Sequence, residues 1–413
     1  MKALFMRYNF RYGIVLVYFL LSVCFPFLMM LEGNYYLHIN FNGLVILSFG
    51  FVILGTFVLK PNWSFGKFER GLLLLTALIF ANLMIHGIYR EEWVNFSYIL
   101  SITLVSVVIK NIDHPKNSIK LNLHVPLCFA LSVIIHLLLA LIRGYGKLGF
   151  TNDCFVNAGQ FSSFLMVFSP LFFSICYFQK SETKIEYILK TLCTIAYILI
   201  FFIVIFNNTR TGWLGAILIS GIYHWIWEQK KKTNDKISAS VKADAVLKIG
   251  FVFSLLSISA YLGKQDSAEG RLLIWKLSTT IIRDNPLTGV GFNRFEAVYN
   301  MYQSNYFRTH IDPRAAWLAD DTLVAYNDFL HFTVELGLFI FLPLSLLFLE
   351  AKRMLSIILQ KNIKDISVKN TSFIGLLIVV FFQMLFSYPF NIIEVTNAIF
   401  LNFLYVTLTN ESN

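Results

Sequence analysis

Three sets of polar residues stand out in a chain that is otherwise strongly apolar. Arg210 lies in Asn207-Asn208-Thr209-Arg210-Thr211-Gly212-Trp213-Leu214, between two apolar runs. Its guanidinium is a planar fork suited to phosphate oxygens. The bland alternative is a snorkelling side chain or a helix-end cap. Arg271 follows Gly270 at the start of a helical pattern. Two such forks on one side of a membrane would match a diphosphate. The second set is Tyr326-Asn327-Asp328-Phe329-Leu330-His331, running into Glu335-Leu336-Gly337. Asn327, His331 and Glu335 are spaced i, i+4, i+8 and share one helix face. An ionisable row at the mouth of an apolar helix is a site candidate, with ordinary interfacial packing as the alternative. The third set is the stretch 149–161, where Asn157 and Gln160 offer amides of the kind that hydrogen-bond sugar hydroxyls. It reads equally well as a turn capping the next helix.

The elements that must carry these residues follow from composition. Of 413 residues, 57% are hydrophobic and only 14% charged, and mean hydropathy is +0.65. A soluble domain is about 25% charged, so an ordinary globular enzyme, a disordered chain and a coiled coil are excluded. The apolar segments are continuous rather than alternating, which argues for membrane helices and against a barrel. Twelve spans are expected, at 12–31, 43–59, 71–89, 93–109, 124–142, 161–178, 187–206, 211–227, 245–262, 329–349, 372–390 and 391–408. Pro389 is the natural break between the last two. The first span reads as an uncleaved helix, since no small-residue cleavage site follows it.

The net charge of +10 reports orientation rather than a nucleic-acid partner. With the amino terminus inside, twenty-one Lys and Arg fall in inner segments and four (Arg90, Arg143, Lys147, Arg210) in short outer loops. The segment 263–327 is a far longer outer loop. The chain thus divides into a membrane domain over 1–262, this loop, and a further membrane domain over 328–413. Within the loop, a helix is expected at about 270–283 and a second starting near Asn293, a good N-cap. Between them lies the turn-rich Asn285-Pro286-Leu287-Thr288-Gly289-Val290-Gly291. Phe295, Val298, Tyr299, Tyr302 and Tyr306 fall at helical spacing and read as a stripe that packs on the membrane domain or its interface.

No phosphate-binding glycine loop, zinc-binding motif or nucleophile elbow occurs. The five cysteines form no CxxC pair, so neither a disulfide framework nor a metal site is expected. Asp320-Asp321 is an acidic pair that could bind a metal, although adjacent acids seldom share one ion.

Taken together, the motifs resemble the O-antigen ligase superfamily of bacterial membrane glycosyltransferases, which includes O-antigen and capsule polymerases and protein O-oligosaccharyltransferases. Arg210 and Leu214 meet an Arg-x-x-x-Leu pattern, and Gly270, Arg271 and Trp275 a Gly-Arg-x-x-x-Trp pattern. Asn285, Pro286, Gly289, Gly291 and Phe295 meet Asn-Pro-x-x-Gly-x-Gly-x-x-x-Phe, and Asn157, Gly159 and Phe161 meet Asn-x-Gly-x-Phe. Where such ligases carry His in a His-Asn-x-x-Leu context, this chain has Tyr326, followed by the matching Asn327 and Leu330. A tyrosine is a poor base at neutral pH, so His331 is the alternative.

The resemblance implies a GT-C-like, all-α polytopic enzyme of the bacterial inner membrane, with a partly helical periplasmic loop and its active site on that side. Its donor would be a glycan on undecaprenyl diphosphate, and its acceptor the lipid A-core or another glycan. Arg210 and Arg271 would hold the diphosphate, Asn157 and Gln160 the glycan, and Tyr326, Asn327 and His331 would serve catalysis. No cofactor, metal or nucleotide sugar is expected, and membrane lipids are its surroundings. A transporter or flippase of lipid-linked sugars is the other reading, which should show repeat halves and midplane polar groups.

Overall fold

The computed structural model describes residues 37–56, 65–87, 89–111, 119–143, 157–231, 265–360 and 367–410, with Val15, Val17, Tyr18 and Phe155. Among these residues the structure is helical, without strands. The membrane part comprises α1 (Leu37–Leu54), α2 (Lys67–His86), α3 (Arg90–Lys110), α4 (Ile119–Arg143), α5 (Ala158–Phe178), α6 (Lys184–Phe206) and α7 (Arg210–Lys231). The large segment holds α8 (Gln265–Asp284), α9 (Phe295–Thr309) and α10 (Pro313–Leu318). Then come α11 (Asp328–Leu336), α12 (Phe341–Gln360), α13 (Val368–Phe386) and α14 (Ile393–Asn410).

Six of these, α2 to α6 and α13, are long and apolar enough to cross a membrane among the described residues. They coincide with the expected spans 71–89, 93–109, 124–142, 161–178, 187–206 and 372–390. The expected span 211–227 falls within α7, and 43–59 and 391–408 overlap α1 and α14. Expected span 245–262, and all of 12–31 except Val15, Val17 and Tyr18, lie outside the described residues.

The expected span 329–349 needs correction. The chain runs as α11, turns by 118°, and continues as α12. Gly337 sits at the corner with φ +67°, a conformation that costs a residue with a Cβ. A Cβ there would also lie 2.0 Å from the Leu287 carbonyl oxygen. The hydropathy of the segment is continuous across this corner, so the bend is invisible to a span count.

α5 is the central post, with every residue from Phe161 to Ile175 buried. It is capped by Asn157, whose side chain accepts from the Gln160 amide, and it contains Pro170. Proline lacks the N–H that Met166 would otherwise receive. Ser169 Oγ donates to that carbonyl at 2.8 Å. α13 lies against α5 and α7. Gly375 makes room for Tyr223, whose hydroxyl donates to the Thr371 carbonyl at 2.6 Å.

Long-range hydrogen bonds gather several turns at one end of the bundle. Arg294 donates to the Gly87 carbonyl, Asn207 to Ser162 Oγ, Arg210 to Ser267 Oγ, and Arg271 to the Phe386 carbonyl. These are the segments that charge counting assigns to one side. At the opposite end, Lys110 at the finish of α3 pairs with Glu69 at the start of α2, at 2.9 Å.

Candidate active site

The large segment is built around its own small core. Leu273, Ile274, Leu277 and Ile281 of α8 meet Phe295 and Tyr299 of α9, with Ala325 and Val334. The stripe expected to pack on the membrane domain packs chiefly on α8 of its own segment, with Val334 as a neighbour from α11: Phe295 and Tyr299 are buried, and Val298, Tyr302 and Tyr306 pack against the same cluster. The N-cap of α9 is Arg294 rather than Asn293. Asn293 instead adopts a left-handed φ of +62°, and its side-chain oxygen accepts from Asn95 Nδ2 at 2.9 Å.

The Asn-Pro-x-x-Gly-x-Gly stretch proves to be a dock for a broken helix. The amides of Val290 and Gly291 donate to the carbonyls of Val334 and Glu335, and Leu338 donates to the Pro286 carbonyl. These carbonyls end α11 and would otherwise lack donors. A Cβ on Gly289 would lie 2.4 Å from Glu335 backbone atoms, so the approach requires glycine. Asn82 of α2 pins the loop, donating to the Thr288 carbonyl (2.7 Å) and accepting from Phe292 N–H (2.8 Å). Arg294 pairs with the buried Glu92 at 2.7 Å.

With the loop fixed in this way, α8 presents Ser267 and Arg271, one turn apart, to the start of α7. Arg210 Nη2 donates to Ser267 Oγ at 2.8 Å. Leu214, one turn beyond Arg210, packs against Phe382 of α13 and sets the height of α7. Arg271 Nη1 donates to the Phe386 carbonyl at 2.8 Å, satisfying one orphan acceptor at the end of α13. Burial disfavours the charge of Arg271 most, and the like charge of Arg210 disfavours it further. Burial also disfavours the charge of Arg210. Among the described residues no carboxylate forms an ion pair with Arg271, whereas Arg294, Arg314 and Arg353 are all paired.

Tyr326 lies under Arg271. The Arg271 guanidinium sits 4.7 Å from its ring centroid. The Tyr388 ring meets it edge-on at 5.3 Å. Tyr326 has φ +52°, a costly conformation for a bulky residue. It is held there by Trp275, whose indole donates to the Ala325 carbonyl at 2.9 Å, and by Asn327, whose amide donates to the Leu385 carbonyl at 3.1 Å. Burial and the neighbouring Tyr388 raise the Tyr326 phenol above its ordinary range, so it is a proton donor at neutral pH.

The other expected residues take different places. Asn327 is the N-cap of α11, accepting from the Leu330 amide at 3.0 Å. His331 is buried and stacked on Phe295 at 4.7 Å. Its Nδ1 accepts from the Ala325 amide at 3.4 Å, and its Nε2 lies 3.3 Å from Glu335 Oε1. Both ring nitrogens therefore face protein groups. Asn157 caps α5, and Gln160 lies in the first turn of that helix. Asn207 joins this cap to the turn before Arg210 through Ser162, at 3.2 Å. Of 149–156, only Phe155 is described; it is buried against Phe161. Sequence reasoning missed Ser267 and Tyr388, which carry no motif of their own and enter only through tertiary contacts.

The fold and this arrangement define a multi-pass helical membrane protein with a paired cationic site at one end of its bundle. Residues 195–345 match the family model described as O-antigen ligase, which supports the resemblance to the O-antigen ligase superfamily over that stretch. The match takes in Arg210, Arg271, the helix-docking glycines and Tyr326, while Asn157 and Gln160 lie outside it. No curated protein matches the chain.

Proposed function

We propose that the protein transfers a glycan from undecaprenyl diphosphate to an acceptor hydroxyl at the periplasmic face of the bacterial inner membrane. The family match supports glycosyl transfer of the ligase or polymerase type. The observation that carries the finer reading is the pairing of Arg210 and Arg271 against one face of α8, where burial and the charge of Arg210 both disfavour the charge of Arg271. A diphosphate between them removes that repulsion and takes up two guanidinium forks.

In the transfer, the acceptor oxygen bonds to the anomeric carbon as the bond to the diphosphate oxygen breaks. That electron pair leaves on the diphosphate. Negative charge grows there in the transition state, and preorganised cations oppose it at little reorganisation cost. Tyr326, held beneath Arg271, orients the guanidinium through its ring. Asn327 and His331 position Tyr326 from below, and Asn157 and Gln160 border the same mouth as glycan contacts. The donor bond already carries the energy, so the reading uses no nucleotide sugar and draws its chemistry from side chains.

Deleting the gene and running surface glycans on a gel tests the assignment. Loss of all capped lipopolysaccharide means a ligase onto the lipid A-core. A single repeat unit left on the core means a polymerase. Unchanged glycans would defeat both.

A further inference from the structure

The groups around Tyr326 converge on one turn. Residues 385–391 close α13 and lead into α14. The Phe386 carbonyl accepts from Arg271 Nη1 at 2.8 Å, and the Leu385 carbonyl from Asn327 Nδ2 at 3.1 Å. The Tyr388 ring meets the Tyr326 ring edge-on at 5.3 Å. The turn is itself fixed. The Ser387 amide donates to the Gln383 carbonyl at 2.7 Å, the Asn391 amide to the Tyr388 carbonyl at 3.1 Å, and Thr396 Oγ1 to the Pro389 carbonyl at 3.2 Å. All of 385–391 lies beyond the stretch 195–345 that matches the family model.

Asp328 makes the deepest of these contacts. It is fully buried. Its Oδ2 accepts from the Phe390 amide at 3.2 Å, and its Oδ1 from Asn391 Nδ2 at 3.1 Å. A carboxylate can accept both, whereas a side-chain amide offers one oxygen and would turn a donor on the Asn391 donor. Burying a carboxylate is costly, and α11 does not need it as a cap, because Asn327 fills that place. Asp328 instead joins the start of α11 to the turn. Asn327 and Asp328 thus lash the two residues after Tyr326 to the segment that also receives Arg271. The ring and the guanidinium, 4.7 Å apart, share one support.

We infer that Asp328 is a positioning residue for glycan transfer: through the turn 385–391 it sets the Tyr326 ring against Arg271 and so aims the guanidinium at the leaving diphosphate. This deepens the diphosphate-donor reading above and rests on it. Asp328 touches no reacting atom in this role. It acts through Tyr326, whose left-handed φ of +52° needs outside support.

The test uses membrane vesicles from a deletion strain complemented with full-length variants, which contain the cell's own donor and acceptor. Product is scored per unit of folded protein. A misplacement of about 1 Å can cost roughly 10²-fold, so Asp328→Asn should slow product formation about ten- to a hundredfold. Asp321→Asn, exposed on the run before Tyr326, should stay close to the parent. Asp328→Asn combined with Asn391→Asp restores both hydrogen bonds, one with donor and acceptor exchanged, and should recover most of the rate. Asn391→Ala breaks the same bond from an exposed position and should show the loss even where Asp328→Asn does not fold. Undecaprenyl diphosphate should still raise the unfolding temperature of purified Asn391→Ala as it does the parent's, because both arginines remain. A merely structural latch would lower the unfolding temperature and leave product per folded protein unchanged. Parent-like product from Asn391→Ala, no recovery in the double exchange, or no response of Asn391→Ala to undecaprenyl diphosphate would each overturn the assignment. If the parent itself makes no glycan product, the donor reading fails; if it does and Asn391→Ala matches it, only the positioning role fails.

Discussion

Arg294 and Arg271 belong to the same large segment and lie at the same end of the bundle, yet their surroundings are opposite. Arg294 donates to Glu92 and to the Gly87 carbonyl and covers the Tyr89 ring at 4.9 Å. Its charge is cancelled by a buried acid, and its work is to fasten the segment to the turn between α2 and α3. Arg271 has a carbonyl, two phenol rings and another arginine around it. A cation matched to an acid serves the fold. A cation set beside a like charge is a standing cost to the fold, which a bound anion relieves.

The two arginines should therefore fail in different ways. Arg294→Ala leaves Glu92 buried without its partner, and breaking a buried pair costs roughly 3–5 kcal/mol. The purified variant should unfold at markedly lower temperature. Arg271→Ala and Arg210→Ala should each lower turnover about 10²–10³-fold, as removal of one transition-state donor does, while the unfolding temperature holds or rises. Stability loss in Arg271→Ala as large as in Arg294→Ala would erase the distinction.

A second comparison sets the docking loop against the reacting groups. Gly337→Ala places a Cβ against the Leu287 carbonyl at a left-handed φ and should cost on the order of 2–3 kcal/mol, measured by thermal unfolding in detergent. Tyr326→Phe keeps the ring under Arg271 and should be milder than Tyr326→Ala, for which about a tenfold loss is expected from the lost cation contact. Equal and complete loss in both would assign the work to the hydroxyl. The smallest effect is expected at Asn157→Ala, about 1 kcal/mol of stability from the lost cap. A loss of transfer without loss of stability there would instead mark a glycan contact.

Much of this was legible in the sequence because it depends on local pattern. Apolar runs of helical length mark α2 to α6 and α13, Pro389 marks the break before α14, and the aromatic spacing of α9 marks its packed face. Arg210 and Arg271 stand out because charge is expensive beside a membrane. What could not be read depends on distant partners. The corner at Gly337 exists because residues 286–291 supply hydrogen bonds to the end of α11. Asn293 departs from N-cap geometry because Asn95 claims its side chain. The row Asn327, His331, Glu335 shares a helix face as its spacing requires, but that face turns into the core under Phe295, so the row supports Tyr326 rather than lining an opening.

The most direct test is the effect of undecaprenyl diphosphate on thermal unfolding of the purified protein. A ligand at a hundred times its dissociation constant stabilises the folded state by about 2.7 kcal/mol. The account predicts a clear rise in unfolding temperature for the parent and for Asp321→Asn, and none for Arg210→Ala or Arg271→Ala. An equal rise in all four would contradict a diphosphate site formed by these two arginines.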